Sequence, residues 1–315
     1  MITAVTRSWV RRLCGVLVVV GVVGGAGCTA SQVPPSDEPV FVGSSDAVPL
    51  PSAGAISPGS VATSTGSVAP SAGAAPIVPT VPGATRVGAR AAVVDHGPRT
   101  GAKVALTFDA DMTDGMLASL RAGRVTSYAN LRVLDLLERE QVPATFFLTG
   151  KWVQRYPEVT RRIAGNPRFE LANHTYGHAA FTADCYDLPR LPVDELAGDV
   201  AKTFEVIASY GGRQTRYFRF PGLCHDAAAL DALAPLGVTV VDGDVVSGDP
   251  FATAWKPLVR AVLDHVRPGS VVIMHVTEAN AAMTDEALPH ILAGLRERGL
   301  VPAPLSEVLA GSPVS

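Results

Sequence analysis

Beyond its N-terminus this 315-residue chain has no cluster of Lys or Arg, and its formal net charge is −3. A protein that binds nucleic acid neutralises phosphates with grouped cations, so this charge pattern argues against a nucleic-acid partner. A long apolar run is missing as well. The stretch LCGVLVVVGVVGGAG, just before Cys28, is short for a stable membrane span and rich in Gly. Cysteine is scarce: four in the chain, of which only Cys185 and Cys224 fall in the C-terminal two thirds.

The N-terminal stretch has a different meaning. Arg7, Arg11 and Arg12 precede the apolar run, and small residues close it. A positive start, an apolar stretch and a small-residue end form an export signal. Gly25-Ala26-Gly27 before Cys28 resembles a bacterial lipobox, although Gly25 stands where Leu is usual. Residues 1–28 are therefore expected to be a signal peptide with Cys28 lipidated. A plain signal peptide or an uncleaved anchor is the alternative, and all three readings place the remainder outside the cytoplasmic membrane. Residues 29–87 are dominated by Pro, Ser, Ala, Gly and Thr with few charges. Such a composition cannot bury a core and serves as a tether. Residues 88–315 are then the folded domain, expected to act as a monomer. An exported domain meets oxidising conditions, so Cys185 and Cys224 are candidates for a disulfide, with two buried free thiols as the alternative.

Within the domain, apolar strands alternate with amphipathic stretches. KVALTFD (103–109), ATFFLTG (144–150), FELANH (169–174), RYFRF (216–220), VTVVDG (238–243) and SVVIMHV (270–276) read as strands. The stretches beginning at Tyr128, Val193, Asp226, Ala254 and Asp285 read as helices. Continuous apolar strands separated by helices imply a parallel sheet. The expected fold is α/β, a deformed (β/α) barrel of about seven parallel strands. Such folds place reactive residues just past the C-terminal ends of strands. Asp109, Asp111, His174, Arg219, Asp242, Asp244 and His275 all fall at or near such ends.

Three acids, Asp109, Asp111 and Asp114, crowd the end of the first of these strands, which packing does not require. His174 and His178 lie four apart, a spacing that on a helical turn puts both imidazoles on one side. With one carboxylate they form a two-His, one-carboxylate set that leaves open positions on a metal. Zinc is the expected ion for that donor set. Asp111 is the expected carboxylate and Asp114 the alternative.

These motifs together resemble those of the NodB-homology polysaccharide deacetylases, carbohydrate esterase family four. TFDAD is similar to the first family motif, T-F-D-D, and NHTYGH to the second, H-S/T-x-x-H. RFPG (219–222) is similar to the third, R-x-P-Y, DVVSGDP (244–250) to the fourth, and IMH (273–275) to the fifth, L-x-H. The resemblance implies removal of acetyl groups from the N-acetylated sugars of an envelope or extracellular glycan such as peptidoglycan or a chitin-like polymer. It implies Asp109 as base, His275 as acid, and Arg219 and Asp249 as their charged partners. It also implies Asp111, His174 and His178 as metal ligands, an oxyanion donor near Gly222, and Pro221 and Ile273 beside the substrate. A Cys185–Cys224 bridge would then staple two active-site loops.

Departures from the family pattern are Ala110 between the first-motif acids, Gly222 for Tyr and Pro250 for Trp. Loss of the two aromatics implies a more open sugar groove. An O-acetyl esterase on the same fold, or a decayed glycan-binding protein, is the alternative function. His225 carries no motif.

Overall fold

The computed structural model describes residues 90–310. The signal segment, Cys28, the tether and the last five residues lie outside the described residues.

The strands are β1 (Ala92–Val94), β2 (Lys103–Ala110), β3 (Ala144–Leu148), β4 (Phe169–Asn173), β5 (Arg213–Phe218), β6 (Thr239–Val241), β7 (Val245–Val246), β8 (Val271–His275) and β9 (Val301–Pro302). The helices are α1 (Asp114–Arg121), α2 (Leu131–Arg139), α3 (Gly150–Arg155), α4 (Pro157–Gly165), α5 (Leu196–Ala208), α6 (Ala227–Leu233), α7 (Trp255–Leu263), α8 (Thr284–Glu297) and α9 (Leu305–Val308). The sheet runs β1-β6-β5-β4-β3-β2-β8-β7, with β9 joining β2, and every strand pair is parallel. This is the expected deformed (β/α) barrel, with three strands of only two or three residues, β1, β7 and β9, added to those legible in the sequence.

Two side-chain periods build the core. Along β2 and just beyond it, Leu106, Phe108, Ala110 and Met112 point outward, where they join Val133, Leu134 and Leu137 of α2 and Leu288 and Ile291 of α8. The alternate residue Ala105 points inward with Phe147, Ala172, Tyr217, Val241 and Val271 to plug the barrel. Helix α2 is capped by Asn130, whose side chain accepts the N–H of Val133, and buries Val133, Leu134, Leu136 and Leu137 on one face.

Closure of the barrel falls to one segment. β6 pairs with β5, whereas β7, three residues later, pairs with β8. Between them Gly243 adopts φ +73°, and a Cβ there would sit 3.0 Å from the Ile273 side chain. The jog at Gly243 lets one chain segment cross the seam between the two sides of the sheet. It also places Asp244 before β7 rather than at a strand end. There its carboxylate accepts from Arg99 (2.8 Å), Ser270 Oγ (3.0 Å) and the Val271 N–H (2.8 Å). Asp244 thus has a structural role, contrary to its expected place among the reactive residues.

Candidate active site

β2 delivers the first two acids. Strand alternation carries Thr107 and Asp109 inward, and Asp111 follows on the same side while Ala110 packs outward into the core. The intervening residue therefore leaves both carboxylates facing the barrel mouth. The turn after β2 is fixed by hydrogen bonds: Thr149 Oγ1 donates to the Ala110 carbonyl (2.8 Å) and the Asp111 N–H to Thr277 Oγ1 (3.1 Å). Asp114 points elsewhere. It opens α1, pairs with Lys151 at 2.6 Å and has an 85% exposed side chain, so Asp111 alone of the two reaches the histidines.

His174 follows β4 directly, but His174 and His178 do not share a helical turn as their spacing suggested. Thr175 (φ 68°) and His178 (φ 56°) are left-handed, and the chain loops back on itself. The rings still meet, with centroids 5.0 Å apart. Asp111 Oδ1 lies 3.5 Å from His174 Nε2 and 3.3 Å from His178 Nε2.

These residues suit a metal ion. The three donor atoms lie within 4.8 Å of one another, and all three residues are buried. Asp111 Oδ1 is buried with no hydrogen-bond partner, a costly state unless a cation completes it. His174 Nδ1 faces the Arg219 carbonyl at 2.8 Å; donation there leaves the Nε2 lone pair aimed at Asp111 Oδ1. Burial lowers the pKa of His178 to about 4 against the opposing pull of Asp111, so its ring is neutral, as a ligand must be. Burial opposes the charge of Asp111 too, but His178, His275 and His174 outweigh it and hold the carboxyl below the usual range.

On one flank stands an ion pair. Arg219, fully buried past the end of β5, donates from Nη1 to Asp109 Oδ1 (2.6 Å) and Thr107 Oγ1 (3.0 Å), and from Nε to the Val241 carbonyl (3.0 Å). Its guanidinium also lies 4.0 Å from the centroid of Phe147. Asp109 Oδ2 is left facing His174 Nε2 at 3.7 Å.

On the other flank, His275 ends β8. Its Nδ1 lies 2.8 Å from Asp249 Oδ1, and its backbone N–H donates to Asp249 Oδ2 at 2.7 Å. Ser247 Oγ and Thr284 Oγ1 donate to the same carboxylate at 2.8 and 2.7 Å. Burial lowers the pKa of His275, but Asp249, Asp111 and Asp109 raise it more, to about 10. Its Nε2 lies 3.8 Å from Asp111 Oδ2, so it faces the same space as the metal ligands.

The third motif makes a short turn. Pro221 is buried and Gly222 adopts φ +61°. Cys185 and Cys224 are bonded, with Cα atoms 5.8 Å apart, joining the loop after the histidines to this turn. A Cβ at Gly222 would lie 2.8 Å from Cys185 Sγ and 2.9 Å from the Tyr186 ring. The space expected to be open for want of an aromatic at 222 is thus filled by Tyr186. Ile273, expected beside the substrate, is only 3% exposed and packs against Gly243, so it supports His275 from below. His225 lies 2.9 Å from Asp242 Oδ2 and beside the ring of Phe220. Thr277, Thr284 and Tyr186 carry no sequence motif, although Thr277 stands two residues past His275; Ser247 lies within the fourth motif.

A family model described as polysaccharide deacetylase matches residues 96–241, ending short of Asp249 and His275. A chitooligosaccharide deacetylase from Bradyrhizobium is 30% identical over 188 residues, covering 56% of this chain and 82% of that protein. The chain belongs to the polysaccharide deacetylase family, the NodB-homology carbohydrate esterases of family four. A second member, the peptidoglycan-N-acetylglucosamine deacetylase of Bacillus cereus, is 28% identical over 204 residues, covering 64% of this chain and 66% of its own length. The chain spans 52% of the length of another relative, an uncharacterised protein of Bacillus subtilis. Among solved family members, an acetyl xylan esterase from Clostridium thermocellum holding a cobalt ion matches with 27% identity and a TM-score of 0.51, over 65% of this chain and 89% of that one. A family pseudoenzyme from Bacillus anthracis shares the fold at 24% identity and a TM-score of 0.56, over 69% of this chain and 68% of that one.

Proposed function

We propose that the domain is a metal-dependent hydrolase that removes acetyl groups from N-acetylated sugars of a peptidoglycan or chitin-like polymer. The observation that carries this reading is the buried Asp111 Oδ1, without a hydrogen-bond partner and within 3.5 Å of two histidine Nε2 atoms, between an Asp–Arg pair and an Asp–His pair. Relatives named for chitooligosaccharide and peptidoglycan substrates support the substrate class.

Asp111, His174 and His178 would hold the ion, expected to be zinc. When bound, it supplies Lewis acidity at the acetyl carbonyl and a site for water. The chain's own residues do the rest. Arg219 occupies Asp109 Oδ1, so Oδ2 is the oxygen available to take a proton from the attacking water. A new C–O bond forms to the acetyl carbon as the carbonyl π bond opens, and the charge that develops on the carbonyl oxygen would be met by the Pro221–Gly222 turn, where the Gly222 N–H is the candidate donor. The C–N bond then breaks. An amide nitrogen leaves poorly as an anion, so His275, charged and held by Asp249, donates its Nε2 proton to the departing amine.

In this reading residues 1–28 direct export, Cys28 carries a lipid anchor and residues 29–87 hold the domain away from the membrane. The test is acetate release from N-acetylglucosamine oligomers by the purified protein with zinc or cobalt. Asp109→Asn and His275→Ala should each abolish it; release that persists in both variants overturns the assigned roles. Faster release from acetylated xylan than from the oligomers would instead favour an O-acetyl esterase.

A further inference from the structure

Two aromatic side chains outside the family motifs are left in solvent beside this site. Phe251 is 77% exposed and Tyr186 is 72% exposed. Burial of an aromatic side chain is strongly favourable, so two such rings side by side in water call for an occupant.

Their positions are specific. Phe251 lies two residues past Asp249, in the turn that carries the carboxylate gripping His275. Tyr186 follows Cys185 and is tied through the disulfide to the third-motif turn, where its ring lies over Gly222. Any side chain at position 222 would collide with that ring, so Gly222 and Tyr186 fit one another as a pair. The two rings come from loops 65 residues apart in sequence, yet their centroids are 6.2 Å apart with planes tilted by 32°. A molecule held between two rings needs about 7 Å or more, twice the carbon–carbon contact distance of roughly 3.5 Å. The pair therefore cannot clamp a ligand between its faces. It presents a joint shelf between the Gly222 turn, which Tyr186 overlies, and the turn that carries Asp249, the partner of the proposed acid.

We infer that Tyr186 and Phe251 form a stacking shelf for a pyranose ring of the glycan chain, positioning the acetylated sugar between Gly222 and His275. A β-linked N-acetylglucosamine unit suits it. Its ring substituents are equatorial, so both ring faces present C–H groups, which match an aromatic face while the hydroxyls stay in water. The inference rests on the glycan-deacetylase reading and deepens it by naming the residues that select and orient the sugar.

The experiment is calorimetric titration of the zinc-loaded protein with a tetramer of N-acetylglucosamine, alongside steady-state acetate release from the same oligomer. Phe251→Ala and Tyr186→Ala should each raise Kd about three- to tenfold, the range given by an aromatic contact, with the kinetic loss falling on KM more than on kcat. Phe251→Tyr and Tyr186→Phe, which keep a ring, should restore Kd to within about twofold of the parent. Both rings are exposed, so the substitutions leave the core untouched. Wild-type Kd in both alanine variants, or a parent protein that does not bind the tetramer, overturns the shelf. Binding decides the shelf and acetate release decides the deacetylase reading. Tight, ring-dependent binding without release would sustain the first and sink the second; release with ring-independent Kd would do the reverse.

Discussion

Asp249 grips His275 twice, through the ring at Oδ1 (2.8 Å) and through the backbone N–H at Oδ2 (2.7 Å). The carboxylate is itself filled by Ser247 and Thr284, so it has no freedom to turn away. Its charge is the main attraction that offsets burial and raises the His275 pKa to about 10. A proton donor works only below its pKa, so activity should fall on the alkaline side; a bound cation on Asp111 offsets part of the attraction that raises His275, so the fall comes below that value. Asp249→Asn keeps much of the geometry and removes the charge. The alkaline limb of kcat/KM should then move to lower pH, and kcat at pH 8 should drop by about 10²-fold or more, within the range of general-acid contributions. An alkaline limb unmoved in Asp249→Asn would show that His275 is not the acid.

The choice between two neighbouring acids gives a second expectation. Asp111 is buried between the histidines, whereas Asp114 sits in solvent on Lys151. Asp111→Asn should lower zinc affinity by at least about 100-fold, more than loss of an outer-shell partner would cost, and Asp114→Asn should leave it within about threefold, since an exposed ion pair contributes little. Competition titration against a chelating dye reads both.

Much of this arrangement is legible in the sequence. Strands β2, β3, β4 and β8 are rich in apolar residues, and the rule that chemistry gathers at strand ends puts Asp109, Asp111, His174 and His275 together. What the sequence hid has physical causes. Strands of two or three residues, such as β1, β7 and β9, carry no readable period. Four-residue spacing is shared by a helical turn and a loop with left-handed residues, so His174 and His178 converge by a route their spacing does not specify. Asp244 looked like a strand-end acid because the jog at Gly243 reverses what counts as an end. Tyr186 carries no motif; its importance arises only where the Cys185–Cys224 bridge sets its ring over a glycine.

His178 makes the metal-free domain sensitive to acid. Its pKa is about 4 when folded, against an ordinary histidine value near 6.5 in the unfolded chain. Where the folded pKa is the lower, the unfolded chain binds the extra proton, and stability falls as pH drops from about 6.5 towards 4. The raised His275 works in the opposite sense: its stabilisation is full below about pH 6.5 and is lost as pH rises from there through about 10, so between pH 4.5 and pH 7 it offsets only a minor part of the His178 effect. The loss assigned to His178 is roughly 3 kcal/mol across the window. Urea denaturation of the metal-free domain at pH 7 and pH 4.5 should show it, and His178→Gln should flatten that part of the slope. Zinc at pH 7 should raise the midpoint by mass action and do so far less at pH 4.5, where protons compete for the ligands.

The Cys185–Cys224 bridge should act on stability and on the site at once. It closes a loop of 39 residues in sequence. In the chain-entropy account such a closure stabilises by about 4 kcal/mol. Cys224→Ser with Cys185→Ser should therefore lower the urea midpoint substantially without changing the ligand set, because Asp111, His174 and His178 are held by β2, β4 and their own turns. Zinc affinity should stay within about threefold of the parent, as expected for residues outside the ligand shell and its hydrogen-bond partners. Oligomer KM should rise, because Tyr186 and the Gly222 turn lose their common anchor. Measuring the three quantities on one double variant separates a global staple from a local one. A lowered midpoint with unchanged KM would mean that the loop keeps its position without the bridge. A raised KM with an unchanged midpoint would mean that the bridge serves the groove alone.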